Sequence, residues 1–526
     1  MYQRCVKDYR NWDAAVGNGT LIKDIILDFM QVTGLNFPLF FESNKNSTTK
    51  PSRSLMSTAI GYLKGQHGID TFLSSGIGMN CGNPTGPLSY IFHFSLPSLS
   101  MEYERYNGKY WKKKLKKSIR KLFNGFAKIT NILPNKSDIE KAVKEIAGYE
   151  GFIAKKLSSK DTSSDDPESE NIDTEDSDTE DSDADDSDTD SLNLIRYDNL
   201  QRKYSGFDFK KYVTFATINA DPKVFKKITQ PFYQYSIISE SAFEIMNNAT
   251  LHKFNGSLSS NFFGNYIYFR LLQNYLEYFP SYLSISNDNK VSEKKKTSDS
   301  PKRQKYSKLE GFFKASKMEA KIIPESLKQH CYEKVSRVKY ANLRIYVDKR
   351  LPKESDRARY FSSVKHITDN VLIGMQSMID GLSWMSPASK EGAYAKLKNL
   401  IKNYVYPEWI MNDKSLTEYY SELKFTDSNY SKMEILLQRF LRGKQFDKLL
   451  LGNGTDRYDW TFESLTKLNA WYQSRFNSIT IPLTILQPPY FNPGWPTSVN
   501  FGAIGFVIGH EIAHGFHTWA AGCNNF

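Results

Sequence analysis

The sequence predicts a mainly α protein with a small β component, and three stretches carry that prediction. From Tyr360 to Leu382, apolar side chains fall at Phe361, Val364, Ile367, Val371, Met375, Met378 and Leu382. That three-and-four spacing draws one buried stripe along a helix. Asn477 to Leu486 (NSITIPLTIL) is instead β-branched and stops at Gln487-Pro488-Pro489, so it reads as a strand that ends abruptly. Phe501 to His514 (FGAIGFVIGHEIAH) is apolar and rich in small residues, a buried helix whose Gly502, Gly505 and Gly509 would allow close packing.

Along the chain, Met1-Tyr2-Gln3-Arg4-Cys5 opens without the apolar core of a signal peptide, so either the protein is cytosolic or its true amino terminus lies elsewhere. No run approaches eighteen apolar residues, which predicts no transmembrane helix. Residues 157–192 read as a disordered acidic insertion. Between Asp161 and Asp190 there are 16 acidic side chains and no Lys or Arg, and so apolar-poor and self-repelling a segment cannot offset its ordering entropy. Without that run, 70 basic side chains face 42 acidic ones, so the remainder carries +28. Such a charge could attract a polyanion. The basic residues are scattered, however, apart from Lys112 to Lys121, which reads as a solvated helix face, and Lys294 to Lys296 in a Lys/Ser-rich loop at 287–308. A nucleic-acid partner is not expected. After the periodic stretch, Ser386-Pro387 and an Ala/Lys-rich segment predict a turn into a second helix. In the strand Asn477 to Leu486, Pro482 cannot donate to a ladder and so predicts an edge position, where an extended peptide could add; packing under the next helix is the alternative.

His510-Glu511-Ile512-Ala513-His514 is an HExxH sequence. Residues four apart share a helix face, so both imidazoles can reach one metal, and Glu511 stands beside the open position as a general base. A core helix with merely hydrogen-bonded histidines is the competing reading. Four cysteines (Cys5, Cys81, Cys331, Cys523) form no CxxC pair, which disfavours a cysteine zinc site and leaves bridge and free thiol both open. Asn-x-Ser/Thr sequons stand at Asn18, Asn46, Asn135, Asn248, Asn255, Asn429 and Asn453 and lean toward a secreted protein.

Four blocks in order then carry a resemblance: Asn469-Ala470-Trp471-Tyr472, Ile485 to Phe491 (ILQPPYF), Asn500 to Gly505 (NFGAIG), and Gly509-His510-Glu511 with His514-Gly515-Phe516. Together with Tyr346-Val347, Leu382 to Met385, Tyr406-Pro407 and Tyr2 to Cys5, they resemble the neprilysin family of zinc endopeptidases. The resemblance implies a helical cap at 1–400 over a thermolysin-like zinc peptidase lobe, of which 401–526 would be the first, incomplete part. It implies one Zn2+ ion held by His510 and His514, with Glu511 as general base. Asn469 and Ala470 would hydrogen-bond the substrate backbone, and Ile485, Tyr490, Phe506 and Val507 would line an apolar specificity pocket. A Cys5–Cys331 disulfide, a small peptide substrate and an extracellular or cell-surface ectodomain are also implied, with membrane attachment only through an anchor outside these residues. The family's third zinc ligand is a glutamate several dozen residues after the second histidine, past Phe526, and Thr518 to Phe526 match nothing in the family. The expectation is a fragment of a peptidase or, alternatively, an inactive truncated relative that binds peptides or partners.

Overall fold

The computed structural model describes residues 1–41, 51–80, 89–158, 193–238, 259–280, 325–425, 429–451, 456, 458–460 and 467–516. The architecture is mainly helical with two small sheets. Of the acidic insertion expected at 157–192, Ser158 closes the helix Lys136–Ser158, and residues 159–192 lie outside the described residues, as do the loop at 287–308, Cys81 and Cys523.

The first sheet has the order β1-β2-β4-β3, with β1 Ser74–Met79, β2 Tyr90–Ser95, β3 Leu194–Arg196 and β4 Gln234–Ile237. It packs into a large core of helices rich in aromatic side chains, in which Tyr149, Tyr266, Tyr268, Phe29, Phe37 and Phe123 are all but fully buried. Rings there interlock closely; Phe37 and Tyr268 stack at 4.4 Å. Cys5 and Cys331 form the disulfide that ties the amino-terminal helix Tyr2–Tyr9 to the helix Glu325–Val335.

A second core begins at Tyr340 and runs to Ile512. The buried side chains therefore part between Cys331 and Tyr340, and the expected division near 400 passes through this second cluster, which holds Leu397 together with Ile479 and Ile508. The helix Tyr430–Asp447 returns to the first core through Tyr430, Ile435 and Phe446, while its Phe440 ring stands 5.7 Å from Tyr420 of the second.

The second sheet has the order β5-β7-β6, with β5 Ile401–Val405, β6 Trp471–Gln473 and β7 Ser478–Pro482. The expected strand is thus central and five residues long, not an edge. Pro482 is tolerated because of side alternation. The Leu483 N–H donates to Val405 O at 2.7 Å, so the Pro482 nitrogen faces the other side, beyond Thr480, where β6 has already ended at Trp471. The edge next to the metal-binding motif is β6.

The long helix Glu354–Asp380 supports this sheet and the motif helix. Val364 and Ile367 are buried as expected, and Phe361, Val371 and Met375 pack at the margin. Met378 is 67% exposed and Ile379 is buried in its place, since a 3.6-residue turn drifts past a strict three-and-four count. Ser386 caps the next helix, Pro387–Lys398, by accepting the Ser389 N–H at 3.1 Å, with Pro387 at its first position.

Candidate metal centre

The residues before the motif form a short helix, Thr497–Asn500, and then a π-helical turn, Phe501–Gly505, that leads directly into the helix Phe506–His514. Asn500 fixes the entry. Its Nδ2 donates to Asn492 O at 2.9 Å, and its Oδ1 accepts the Asn492 N–H at 3.2 Å. On the supporting side, a methyl at Gly505 would lie 3.5 Å from Ile367 and one at Gly509 3.8 Å from Val371, both ordinary contact. Gly502 is exposed with open space around it, so it takes no part in the close packing expected of it. The tight glycine is Gly515, where a Cβ would stand 2.9 Å from the Tyr472 ring.

One helical turn brings His510 and His514 together. Their Nε2 atoms are 3.0 Å apart, with the rings nearly perpendicular at 86°. His510 is exposed and His514 half-buried. Two nitrogens bound to one tetrahedral zinc stand about 3.3 Å apart, so this pair fits a shared ion. Among the described residues, the cluster able to hold a metal comprises His510, Glu511 and His514, with ligand atoms within 4.8 Å of one another. Glu511 is 6% exposed. Burial pushes its carboxyl up to about 7, opposed by the hydrogen bond it receives from the Tyr472 backbone. A group titrating there is suited to taking and returning a proton near neutral pH.

Strand β6 thus reaches the motif helix twice, through the Tyr472 N–H at Glu511 and the Tyr472 ring at Gly515. Tyr472 in turn donates its hydroxyl to Asn477 Oδ1 at 3.0 Å, and Asn477 Nδ2 donates to Lys396 O at 2.8 Å. Sequence reasoning gave neither Tyr472 nor Gly515 a role of its own, although both stand inside its blocks. Nothing in a linear pattern pairs residues so far apart.

The other expected site residues are placed unevenly. Asn469 is exposed and Ala470 is 1% exposed, immediately before the edge strand. Ile485 is buried in the second core, and Tyr490 and Val507 pack at its margin. Phe506 is 72% exposed and is not drawn into that group.

An HExxH helix with an edge strand laid against its glutamate defines a zinc-metallopeptidase type of site. The chain belongs to peptidase family M13: the family's amino-terminal region matches residues 2–407 and its peptidase region residues 469–524, which corrects the expectation that nothing from Thr518 onward matches the family. It is similar to human neprilysin, 34% identical over 164 residues, which are 30% of this chain and 22% of that protein. It is also similar to mouse membrane metallo-endopeptidase-like 1, 35% identical over 174 residues, 33% of this chain and 22% of that one. These aligned stretches span about a fifth of the curated relatives' length. In fold it resembles a zinc metalloprotease of Mycobacterium tuberculosis solved with an inhibitor, at a TM-score of 0.64 and 19% identity, covering 100% of this chain and 65% of that one. A second match is PepO from Lactobacillus rhamnosis, at a TM-score of 0.61 and 16% identity, covering 100% and 69%.

Proposed function

We propose that this protein is a zinc endopeptidase that hydrolyses peptide bonds of small peptides. The observation that carries the reading is the pair of Nε2 atoms 3.0 Å apart on one helix face beside a buried Glu511. His510 and His514 would hold a single zinc ion. Zinc, when bound, supplies Lewis acidity toward the scissile carbonyl. An extended peptide would add to the outer edge of β6, with Asn469 and Ala470 bonding its backbone. Ile485, Tyr490, Val507 and the exposed Phe506 would receive an apolar side chain. Glu511 takes the proton of the attacking water and returns it to the leaving amine, and the Tyr472 N–H keeps its carboxylate aimed. The setting would be extracellular or at the cell surface. Among the described residues no helix is long and apolar enough to cross a membrane.

One observation favours a second reading, peptide binding without turnover. Among the described residues, no further side chain joins His510, Glu511 and His514 as a third protein ligand, and catalytic zinc ordinarily has three. Zinc titration with parallel cleavage of a small apolar peptide separates the two readings. The endopeptidase reading expects one zinc per chain and a loss of about 10²–10⁴-fold in kcat for Glu511→Gln, with zinc retained. Peptide binding with no Glu511-dependent cleavage would select the second reading.

A further inference from the structure

Of the seven sequons, three lie among the described residues, and the fold treats them differently. We propose that Asn18 and Asn135 carry N-linked glycans and that Asn429, whose sequon is equally intact, does not. The inference is independent of the peptidase reading.

Asn18 sits in the turn between the short helix Trp12–Ala15 and the helix Thr20–Thr33, in a left-handed conformation with φ 51°. Asn18 and its sequon partner Thr20 are both exposed. An asparagine tolerates this backbone region better than most residues, and the turn carries its side chain clear of the helices on either side. The middle residue, Gly19, has φ 100°, and a Cβ there would stand 2.8 Å from Ile129. That contact places the Asn18 turn against the end of the helix Trp111–Thr130, just before the turn that holds Asn135.

Asn135 precedes the helix Lys136–Ser158 and accepts the Asp138 and Ile139 N–H groups with its backbone carbonyl. Asn135 and Ser137 are both exposed. Two residues earlier, Leu133 is 85% exposed, an apolar side chain that a neighbouring glycan would shade from other molecules. The two sites thus mark one end of the first lobe.

Asn429 is half-buried and tied down by its own side chain. Its Nδ2 donates to Ala15 O, and its Oδ1 accepts the Ser431 N–H at 3.0 Å as the cap of the helix Tyr430–Asp447. Tyr430 and Ser431 are fully buried, and the Tyr430 N–H donates to Asp8 Oδ2 at 2.8 Å. The nitrogen that would bear the sugar is the one aimed at Ala15. A glycan there would leave that nitrogen a single N–H and would crowd the contact with Ala15 that holds the start of the returning helix.

The compartment is indicated separately. Cys5 and Cys331, both fully buried, are joined by a disulfide across 326 residues, which calls for folding under oxidising conditions. The same secretory route supplies a polyprenyl-pyrophosphate-linked oligosaccharide. The asparagine Nδ2 attacks its anomeric carbon, and the new C–N bond replaces the C–O bond. The pyrophosphate leaves on its lipid, and the amide nitrogen gives up one proton.

The test is site mapping on the full chain purified from its natural source. Enzymatic deglycosylation in heavy-oxygen water turns each occupied asparagine into a labelled aspartate. Label at Asn18 and Asn135 with an unmodified Asn429 peptide is the expected result. An unlabelled Asn18 or Asn135, or a labelled Asn429, overturns the proposal. As a second measurement, Asn18→Asp and Ser137→Ala should each remove one glycan's mass from the intact protein. Either variant retaining the parent mass overturns it for that site.

Discussion

Two buried glutamates, one in each core, show what each region is built for. Glu150 of the first core is fully buried and well supplied with donors: the Ser100 N–H at 3.0 Å, the Ser100 hydroxyl, Tyr106 at 2.6 Å and Tyr266 at 3.2 Å. Arg270 extends the same network, donating to Tyr266 at 3.2 Å and to Asp70 O at 3.1 Å. Glu511 of the second core is nearly as buried, yet the opposing influence on its raised carboxyl is one backbone N–H, from Tyr472. A carboxylate surrounded by donors is held in one place and serves as a strut. One that is short of donors is left near the point where its proton can move.

The contrast breaks most visibly if Glu150 is truncated. Glu150→Ala leaves Tyr106, Tyr266 and Arg270 facing a cavity and should cost about 3–5 kcal/mol in stability, read from the shift in denaturant midpoint of the first unfolding transition. Glu511→Gln should leave that midpoint in place and remove turnover alone. If both variants unfold alike, the division into strut and poised group fails.

Gly509 in the motif helix and Gly515 just past its end sharpen the contrast at the next level down. Gly515→Ala drives a Cβ to 2.9 Å from the Tyr472 ring. The strand that aims Glu511 should shift, costing about 1–3 kcal/mol and lowering kcat several-fold while KM changes little. Gly509→Ala meets Val371 at an ordinary 3.8 Å and should fall within about 0.5 kcal/mol of the parent. Equal effects in a paired kinetic and thermal comparison would remove Tyr472 from its positioning role.

The smallest effect expected is on pH. His67 is buried, and burial, reinforced by Arg439 and Arg442, holds its imidazole well below the ordinary value. Its Nδ1 pairs with the Tyr275 hydroxyl at 2.8 Å. Folding therefore keeps it neutral, while the unfolded chain takes up a proton at about 6.5. Its contribution is fully present above that pH and is lost as the pH falls below it. His67→Gln should flatten the acid limb of the stability curve between about pH 7 and pH 5; an unchanged slope would place the acid sensitivity elsewhere.

The chain's local chemistry was legible wherever one short segment carries the whole signal. HExxH brings its two imidazoles within 3.0 Å because a helix turn puts residues four apart onto one face. Ser386-Pro387 announces a helix start, and the stripe from Phe361 to Met375 announces a buried face. The stripe failed at Met378, where counting lost phase with the helix and Ile379 took the buried place. Pro482 misled for a related reason. A proline reveals that a donor is missing, but not which side of the strand lacks a partner, and here the side without a partner lies beyond the end of β6.

By itself, then, the sequence determined the helical class, the metal-binding motif and, through resemblance, the Cys5–Cys331 pairing, because each rests on residues near in sequence or on a whole pattern of blocks. Only the tertiary structure decided that β6 is the edge beside the motif, that Tyr472 holds Glu511 and crowds Gly515, and that the half-buried Asn429 is tied to Ala15 while Asn18 and Asn135 stand open. These depend on which segments meet after the chain has closed on itself. Burial and the direction of a hydrogen bond are properties of that meeting, not of either partner alone.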